Sequence, residues 1–455
     1  MHDTTDIACP SLLREHLQAQ VATSFPPLQA CEAVQPNKPG RGRPRHLPEG
    51  QLWLGLLWCV LEGMHSYQDL WRFLGSRVVG GFAPVQLTDD AIVKRLEQAG
   101  LEPLQQLLLH VNQWLASHLQ PAMTSTLPTF ATQIVALDET TLDAVARHLS
   151  WQRLHPKGHP VLLPGKLAGL FDLRQQCWLT LQFFPEALQN CKVGALSLVE
   201  GLPWHSLLLF DLGYFSFAWF DYLSSMGYWW ISRLREKTSY RLLHVYYCHH
   251  EILDALIWLG SSHGSRAGRA VRLVRFHDGT CLRMYVTNVL DPRQLSLIEI
   301  AQLYARRWDI ELAFLTLKEA LDLHHWWSSK LPLILQQIWV VLIVAHLMQR
   351  LRIDIALQAG VDPFAVSLPL LIQYVPRLIA QRQSPIDWVL THGHHLGFIR
   401  PSTRIQVVAP HIPLEQMTFP PADLVLVRKA RYVHYQSRPG RPSYSKRKRT
   451  RSPAT

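Results

Sequence analysis

No C-x-x-C pair occurs in the sequence, and its seven cysteines, at 9, 31, 59, 177, 191, 248 and 281, are scattered and odd in number. That argues against a disulfide framework or a Cys-rich zinc site and fits reduced thiols. Cys248, His249 and His250 are adjacent, but neighbouring residues rarely ligate one metal well, and a strand or turn without a metal role is expected there. Long uninterrupted apolar runs are missing too. Residues 51–64 are interrupted by Glu62, and 331–348 by Gln336, Gln337 and His346. Both read as buried helices rather than the spans of about 20 apolar residues that a bilayer requires. The first residues carry Asp3 and Asp6 and lack an apolar core after a basic start, which is not the pattern of a signal peptide. No internal repeat is visible. Acidic residues are in deficit, 34 Asp and Glu against 45 Lys and Arg, giving a formal charge of +11. A chain this basic usually meets a polyanion, although charge alone also fits a basic protein with no nucleic-acid partner.

What is present points to a folded chain of several parts. Apolar residues make up 48% of it and there are 16 tryptophans, which excludes disorder as its main state. At 455 residues it is too long for one simple core. Residues 1–125 read as a helical N-terminal region. Within it a basic Gly/Pro linker occupies 38–45, and Leu52, Leu56, Leu57 and Val60, then Leu104, Leu107, Leu108 and Val111, recur near helical spacing. Ser66 and Thr88 are plausible helix N-caps, so a helix-turn-helix-like unit or a plain bundle both fit. The pattern changes near residue 133. Over 126–227, Gln133–Asp138 and Ser206–Asp211 are apolar strands ending on an acid, and Leu167–Leu173 and Cys177–Phe184 are strands joined by a tight turn. Residues 228–291 are β-rich, with Asp278-Gly279 as a hairpin turn. Residues 292–400 open with one long helix over 293–323 and continue helical. Residues 401–455 end in a strongly basic tail.

An acid just past an apolar strand sits at a sheet rim, anchored yet reachable. Asp138 and Asp211 on neighbouring strands could jointly hold hard cations, since Mg²⁺ prefers oxygen ligands. Most such Asp residues, however, are caps or turn formers. On the long helix, Tyr304, Arg307, Glu311 and Lys318 fall within an arc of about 60° at 100° per residue. Such a face could offer Glu311 to metal, Arg307 and Lys318 to phosphates, and Tyr304 for positioning. The same spacing describes a solvated helix with an Arg307–Glu311 pair.

The residues Tyr304-Ala-Arg-Arg307-Trp-Asp-Ile-Glu311, with Lys318 after a gap of six, resemble the Tyr-Arg-Glu-Lys signature of bacterial insertion-sequence DDE transposases. Asp138-Glu139-Thr140-Thr141 resembles the first-Asp motif of that group, and Asp211-Leu212-Gly213-Tyr214-Phe215 the second. The resemblance covers roughly residues 130–350. It implies an α/β fold: an RNase H-like catalytic core interrupted by a β-rich insertion domain, between an all-α N-terminal domain and a helical C-terminal region. It implies Asp138, Asp211 and Glu311 as catalytic metal ligands for two Mg²⁺ ions (Mn²⁺ able to substitute). The reaction implied is cleavage at element ends and joining of the 3′ hydroxyl to target DNA by two-metal chemistry. It also implies double-stranded DNA as partner, a dimer on the paired ends, no membrane, and a bacterial cytoplasmic, nucleoid-associated location. Members that form a hairpin stack an aromatic on a flipped base. Tyr285 is the nearest aromatic to the expected place, and no Trp stands there.

Arg41 and Arg43, in Arg-Gly-Arg-Pro, resemble an AT-hook core that lays Arg into a narrow minor groove; a flexible linker is the equal alternative. The run Lys446–Arg451 could bind phosphates or serve only solubility. Trp326 and Trp327 could stack on DNA, with core packing the plainer expectation. Two other functions remain open at this stage: an RNase H-like nuclease that cuts without joining, and a catalytically dead DNA-binding protein descended from a transposase.

Overall fold

A computed structural model describes residues 47–118, 127–142, 165–186, 189–260, 264–323, 325–328, 330–404 and 407–432. The linker arginines Arg41 and Arg43 and the basic tail lie outside them.

The N-terminal region is helical: α1 (Glu49–Leu61), α2 (Tyr67–Ser76), α3 (Asp89–Ala99) and α4 (Glu102–His118). Both expected caps form, Ser66 Oγ accepting from the Asp69 amide at 3.1 Å and Thr88 Oγ1 from the Ala91 amide at 3.3 Å. These satisfy amides that the first helical turn leaves orphaned.

Nine strands build one sheet: β1 (Ile134–Leu142), β2 (Gly165–Asp172), β3 (Cys177–Phe184), β4 (Leu207–Phe210), β5 (Trp229–Arg233), β6 (Tyr240–His249), β7 (Ile252–Leu259), β8 (Val271–His277) and β9 (Leu282–Thr287). Their order is β3-β2-β1-β4-β5-β9-β8-β7-β6. β1, β4 and β5 run parallel at its centre. The remaining pairs are antiparallel. The β-rich segment is therefore an edgewise continuation of the central strands, joined where Ile231 pairs with Thr287. Between β4 and β5 the chain crosses the sheet through α6 (Phe217–Ser225), and α5 (Cys191–Val199) precedes β4.

Alternation along the strands sorts the two cores, because successive side chains point to opposite faces. Val135 and Leu137 of β1 and Leu208 and Phe210 of β4 pack with α5 and α6. Ile134, Ala136, Leu207 and Leu209 face the other way, toward the later helices. These are α7 (Leu297–Arg306), α8 (Trp308–Leu315), a π-helical turn Thr316–Ala320, α9 (Leu331–Ala359), α10 (Leu368–Ala380) and α11 (Pro385–His392).

Two expectations need correction. β1 does not stop at Asp138; it runs on to Leu142, with Asp138 paired to Gly169 of β2. Antiparallel pairing along β2 keeps the polar half, Glu139–Thr141, extended. The helix expected over 293–323 is instead α7, α8 and the π turn. Ser296 and Glu299 form a capping box at its start, so Asp291–Leu295 lie outside it, and Arg307 marks the break between α7 and α8.

α9 is the organising helix, and among the described residues it is the one long and apolar enough to cross a membrane by length and composition. It is largely buried in the protein, packing on α1, α4, α10, α11 and β3. Gln336 on α9 donates to the carbonyls of Leu96 and Gly100, tying the N-terminal helices to the same core. Residues 407–432 run back along the β-rich segment, where Thr418 donates to Tyr246 and the Tyr432 hydroxyl reaches Asp221.

Candidate active site

The parallel register of β1 and β4 sets Leu137 beside Phe210, so the next residues, Asp138 and Asp211, stand side by side. Both continue the side-chain parity of the face on which α8 lies. α8 carries Glu311 and packs on β1. The three acids therefore approach one another at one rim of the sheet from three separate elements.

Each is held differently. Asp138 Oδ1 accepts the Glu139 amide at 2.8 Å, and its Oδ2 accepts Arg307 Nη1 at 3.1 Å. Asp211 ends β4 and caps the 3₁₀ turn Leu212–Tyr214, its Oδ1 accepting the Gly213 amide at 2.8 Å. A side chain at Gly213 would bring its Cβ to 2.9 Å from that oxygen. Glycine is thus needed for the carboxylate to keep its pose. Glu311 Oε1 accepts Arg307 Nη2 at 2.5 Å. The Arg307 guanidinium, only 12% exposed, consequently bridges Asp138 and Glu311.

Burial raises the Asp138 carboxyl to about 7, opposed by the Glu139 amide and Arg307 and reinforced by Asp211 and Glu311. Such a site is short of positive charge even with Arg307 in place.

The stripe read from the sequence faces the sheet. The Tyr304 hydroxyl donates to the Phe210 carbonyl at 3.3 Å, and Lys318 Nζ donates to the Thr141 carbonyl. Tyr304 is buried, so in this structure its ring meets protein, including Tyr285 at 4.8 Å between centroids. Tyr285 is itself only 3% exposed and is closed off from stacking on a base here, because β9 turns it inward. Trp326 is buried and Trp327 packs edge-on against Tyr67, both as core residues. Cys248 and His249 close β6 and His250 turns the chain with φ 48°, in keeping with the expected turn.

Sequence reasoning missed Lys166 on β2. It is 2% exposed and donates to Glu139 Oε2 at 2.8 Å, beneath the acids. Its only signal was a lone lysine before an apolar strand, which reads as solvated. It also missed that Arg307 reaches Asp138 as well as Glu311.

Three carboxylates in a charge-poor pocket form an all-oxygen donor set, the kind hard divalent cations take. As the side chains stand, no three His, Cys, Asp or Glu among the described residues are close enough to hold one ion. The Arg307 guanidinium lies between Asp138 and Glu311. The donor chemistry of the three carboxylates is of the type a hard cation takes.

Residues 129–347, which include all three acids, match the family model described as Transposase DDE domain, and this match supports a DDE transposase. No curated protein matches the sequence. Among solved structures, the chain is similar to a piggyBac transposase in a synaptic complex with hairpin DNA, seen by cryo-EM. The identity is 9% and the TM-score 0.40, over 83% of this chain and 81% of that one.

Proposed function

We propose that this chain is a DNA transposase that cuts the ends of a mobile DNA element and joins the freed 3′ hydroxyl to target DNA. One observation carries the reading: Asp138, Asp211 and Glu311, remote in sequence, approach one rim of the sheet inside the segment that matches the Transposase DDE domain. On this reading the core is RNase H-like, and the chain is of the Tyr-Arg-Glu-Lys group. The net charge of +11 suits a DNA partner.

Asp138, Asp211 and Glu311 would hold divalent ions, Mg²⁺ or Mn²⁺. When bound, these activate the attacking oxygen and stabilise the leaving one. The protein's own groups set the stage. Tyr304 fixes the backbone just before Asp211, Lys318 fixes β1 just past Asp138, and Gly213 leaves Asp211 its pose. Arg307 neutralises the acids until it is exchanged, and its planar fork then suits a DNA phosphate. Two copies would hold the paired ends.

The test uses purified protein, duplex element ends and Mg²⁺ or Mn²⁺. Asp138→Asn, Asp211→Asn and Glu311→Gln should each lower cleavage and strand transfer by about a hundredfold or more, the scale of losing a charge-stabilising group, with end binding retained. A variant with full activity removes its residue from the site. A pre-cut end carrying a 3′ hydroxyl separates transposase from nuclease, because only the former yields joined products.

A further inference from the structure

Behind α8, a cavity of about 340 Å³ opens between that helix, α9 and the segment from Phe364 to Pro369. Asp309 and Ala313 line it, roughly 160° around the helix from Glu311, and none of Asp138, Asp211 and Glu311 is among its lining residues. It is therefore separate from the acid cluster.

Its polar lining contains two buried donors with no acceptor. Arg352 is 8% exposed, and its Nε is buried with no hydrogen-bond partner. Its guanidinium carbon lies 4.7 Å from the centroid of the Phe364 ring. One helical turn earlier, Gln349 also lines the cavity, and its buried Nε2 lacks a partner as well. The neighbouring arginines are compensated. Arg306 pairs with Asp309 at 2.9 Å, and Arg404 pairs with Asp362 at 3.0 Å. Asp309 Oδ2 also accepts from Gln176 at 2.9 Å, and Asp309 and Asp362 attract Arg352 through space while Arg404 repels it. Burial pulls the Arg352 pKa down to about 10, which still leaves it charged at neutral pH.

Arg306, Arg352 and Arg404 share the two carboxylates of Asp309 and Asp362; a buried guanidinium short of counter-charge is destabilising, and two unmet donors on one wall ask for an acceptor. Phe171, Leu312, Phe364 and Leu368 give the cavity apolar walls, and Glu319 and Arg400 add one charge of each sign to the lining. We propose that this cavity binds a small organic oxyanion, a phosphate or carboxylate carried on a compact apolar body, with Arg352 and Gln349 taking the oxyanion and the apolar walls taking the body. Its size lies at the lower end of the range of about 300–1,000 Å³ for small-molecule sites. An inorganic anion would leave those walls uncovered, so the apolar body is part of the recognition. The inference does not depend on the chemistry proposed for the acids.

The experiment is calorimetric titration of the full chain with deoxyadenosine 5′-monophosphate, benzoate and inorganic phosphate. At least one organic anion should bind at least tenfold tighter than inorganic phosphate. Arg352→Met should weaken that binding at least tenfold, and Gln349→Leu should weaken it measurably. Tight binding of the nucleotide identifies a phosphate ester as the source, and tight binding of benzoate identifies a carboxylate. If Arg352→Met fails to fold, Gln349→Leu decides alone. Binding no tighter than that of inorganic phosphate, or binding unchanged in the folded variants, overturns the proposal.

Discussion

Arg307 bonds Asp138 across the gap between the α7–α8 break and β1, while its second Nη holds Glu311 one turn along. One guanidinium thus balances two of the three acids. Removing it in Arg307→Met should leave them facing each other and lower stability by about 1–3 kcal/mol, as for hydrogen bonds to charged groups. Part of the site is accessible, so the lower half of that range is favoured. Mg²⁺ should restore more melting temperature in this variant than in the parent, because the ion meets the same acids without a competitor. Equal Mg²⁺ responses in a thermal melt would show that the acids do not share a cation.

Gly213 bears on the second acid. Gly213→Ala places a methyl group against Asp211 Oδ1, so cleavage should fall by about tenfold or more, the consequence of misplacing a reacting group by a fraction of an ångström. The melting temperature should move little, since the turn is exposed and its φ is not left-handed. Unchanged cleavage kinetics would mean that the Asp211 carboxylate is free to choose another pose.

His346 sets an acid limit on stability. It is buried on α9, where its Nε2 accepts the Trp178 amide at 2.8 Å, and burial depresses its pKa to about 3. The unfolded chain takes up a proton near pH 6.5 and the folded chain does not, so this group's stabilisation is complete above pH 6.5 and is lost as pH falls toward 3. The slope is about 1.4 kcal/mol per pH unit across that window. His346→Gln keeps an acceptor but cannot titrate. Denaturant unfolding at several pH values should show a shallower acid limb for the variant, and parallel curves would contradict the assignment.

In the β-rich segment, Asp254 and Arg272 are both fully buried and form a two-pronged pair, with contacts of 2.7 and 2.6 Å. Arg272 also donates to the Leu295 carbonyl, next to the Ser296 cap of α7. Arg272→Met should cost about 3–5 kcal/mol by stranding a buried carboxylate, whereas Asp254→Leu combined with Arg272→Met should recover much of it. A double variant no more stable than the single one would show that the tie to Leu295 matters more than the charge balance.

How far these features could be read beforehand depended on range. Short apolar runs bounded by polar residues gave β2, β3 and β4 nearly to the residue, since burial decides them. The acid at the end of β4 was legible for the same reason. Asp254 was not, because a carboxylate inside an apolar strand looks like a boundary until Arg272, on the next strand, is seen to meet it. The break at Arg307 was equally hidden, since helical spacing continues through it and only the reach to Asp138 reveals its role. Tyr285 was the nearest aromatic to the expected place, and only the packing of Tyr304 from α7 shows that its face is covered. Tyr304, Arg307 and Lys318 each reach the sheet, on Phe210, Asp138 and Thr141, which helical spacing alone could not say.

The ladder between Ile231–Arg233 and Tyr285–Thr287 splices β6–β9 onto β5, which pairs in turn with β4, the strand that ends at Asp211. No pliant tether intervenes, so rotating one part against the other would require unzipping backbone pairs in the middle of a nine-stranded lattice. The scaffold behaves as a single stiff jig, and whatever is clamped across both halves must do the bending itself.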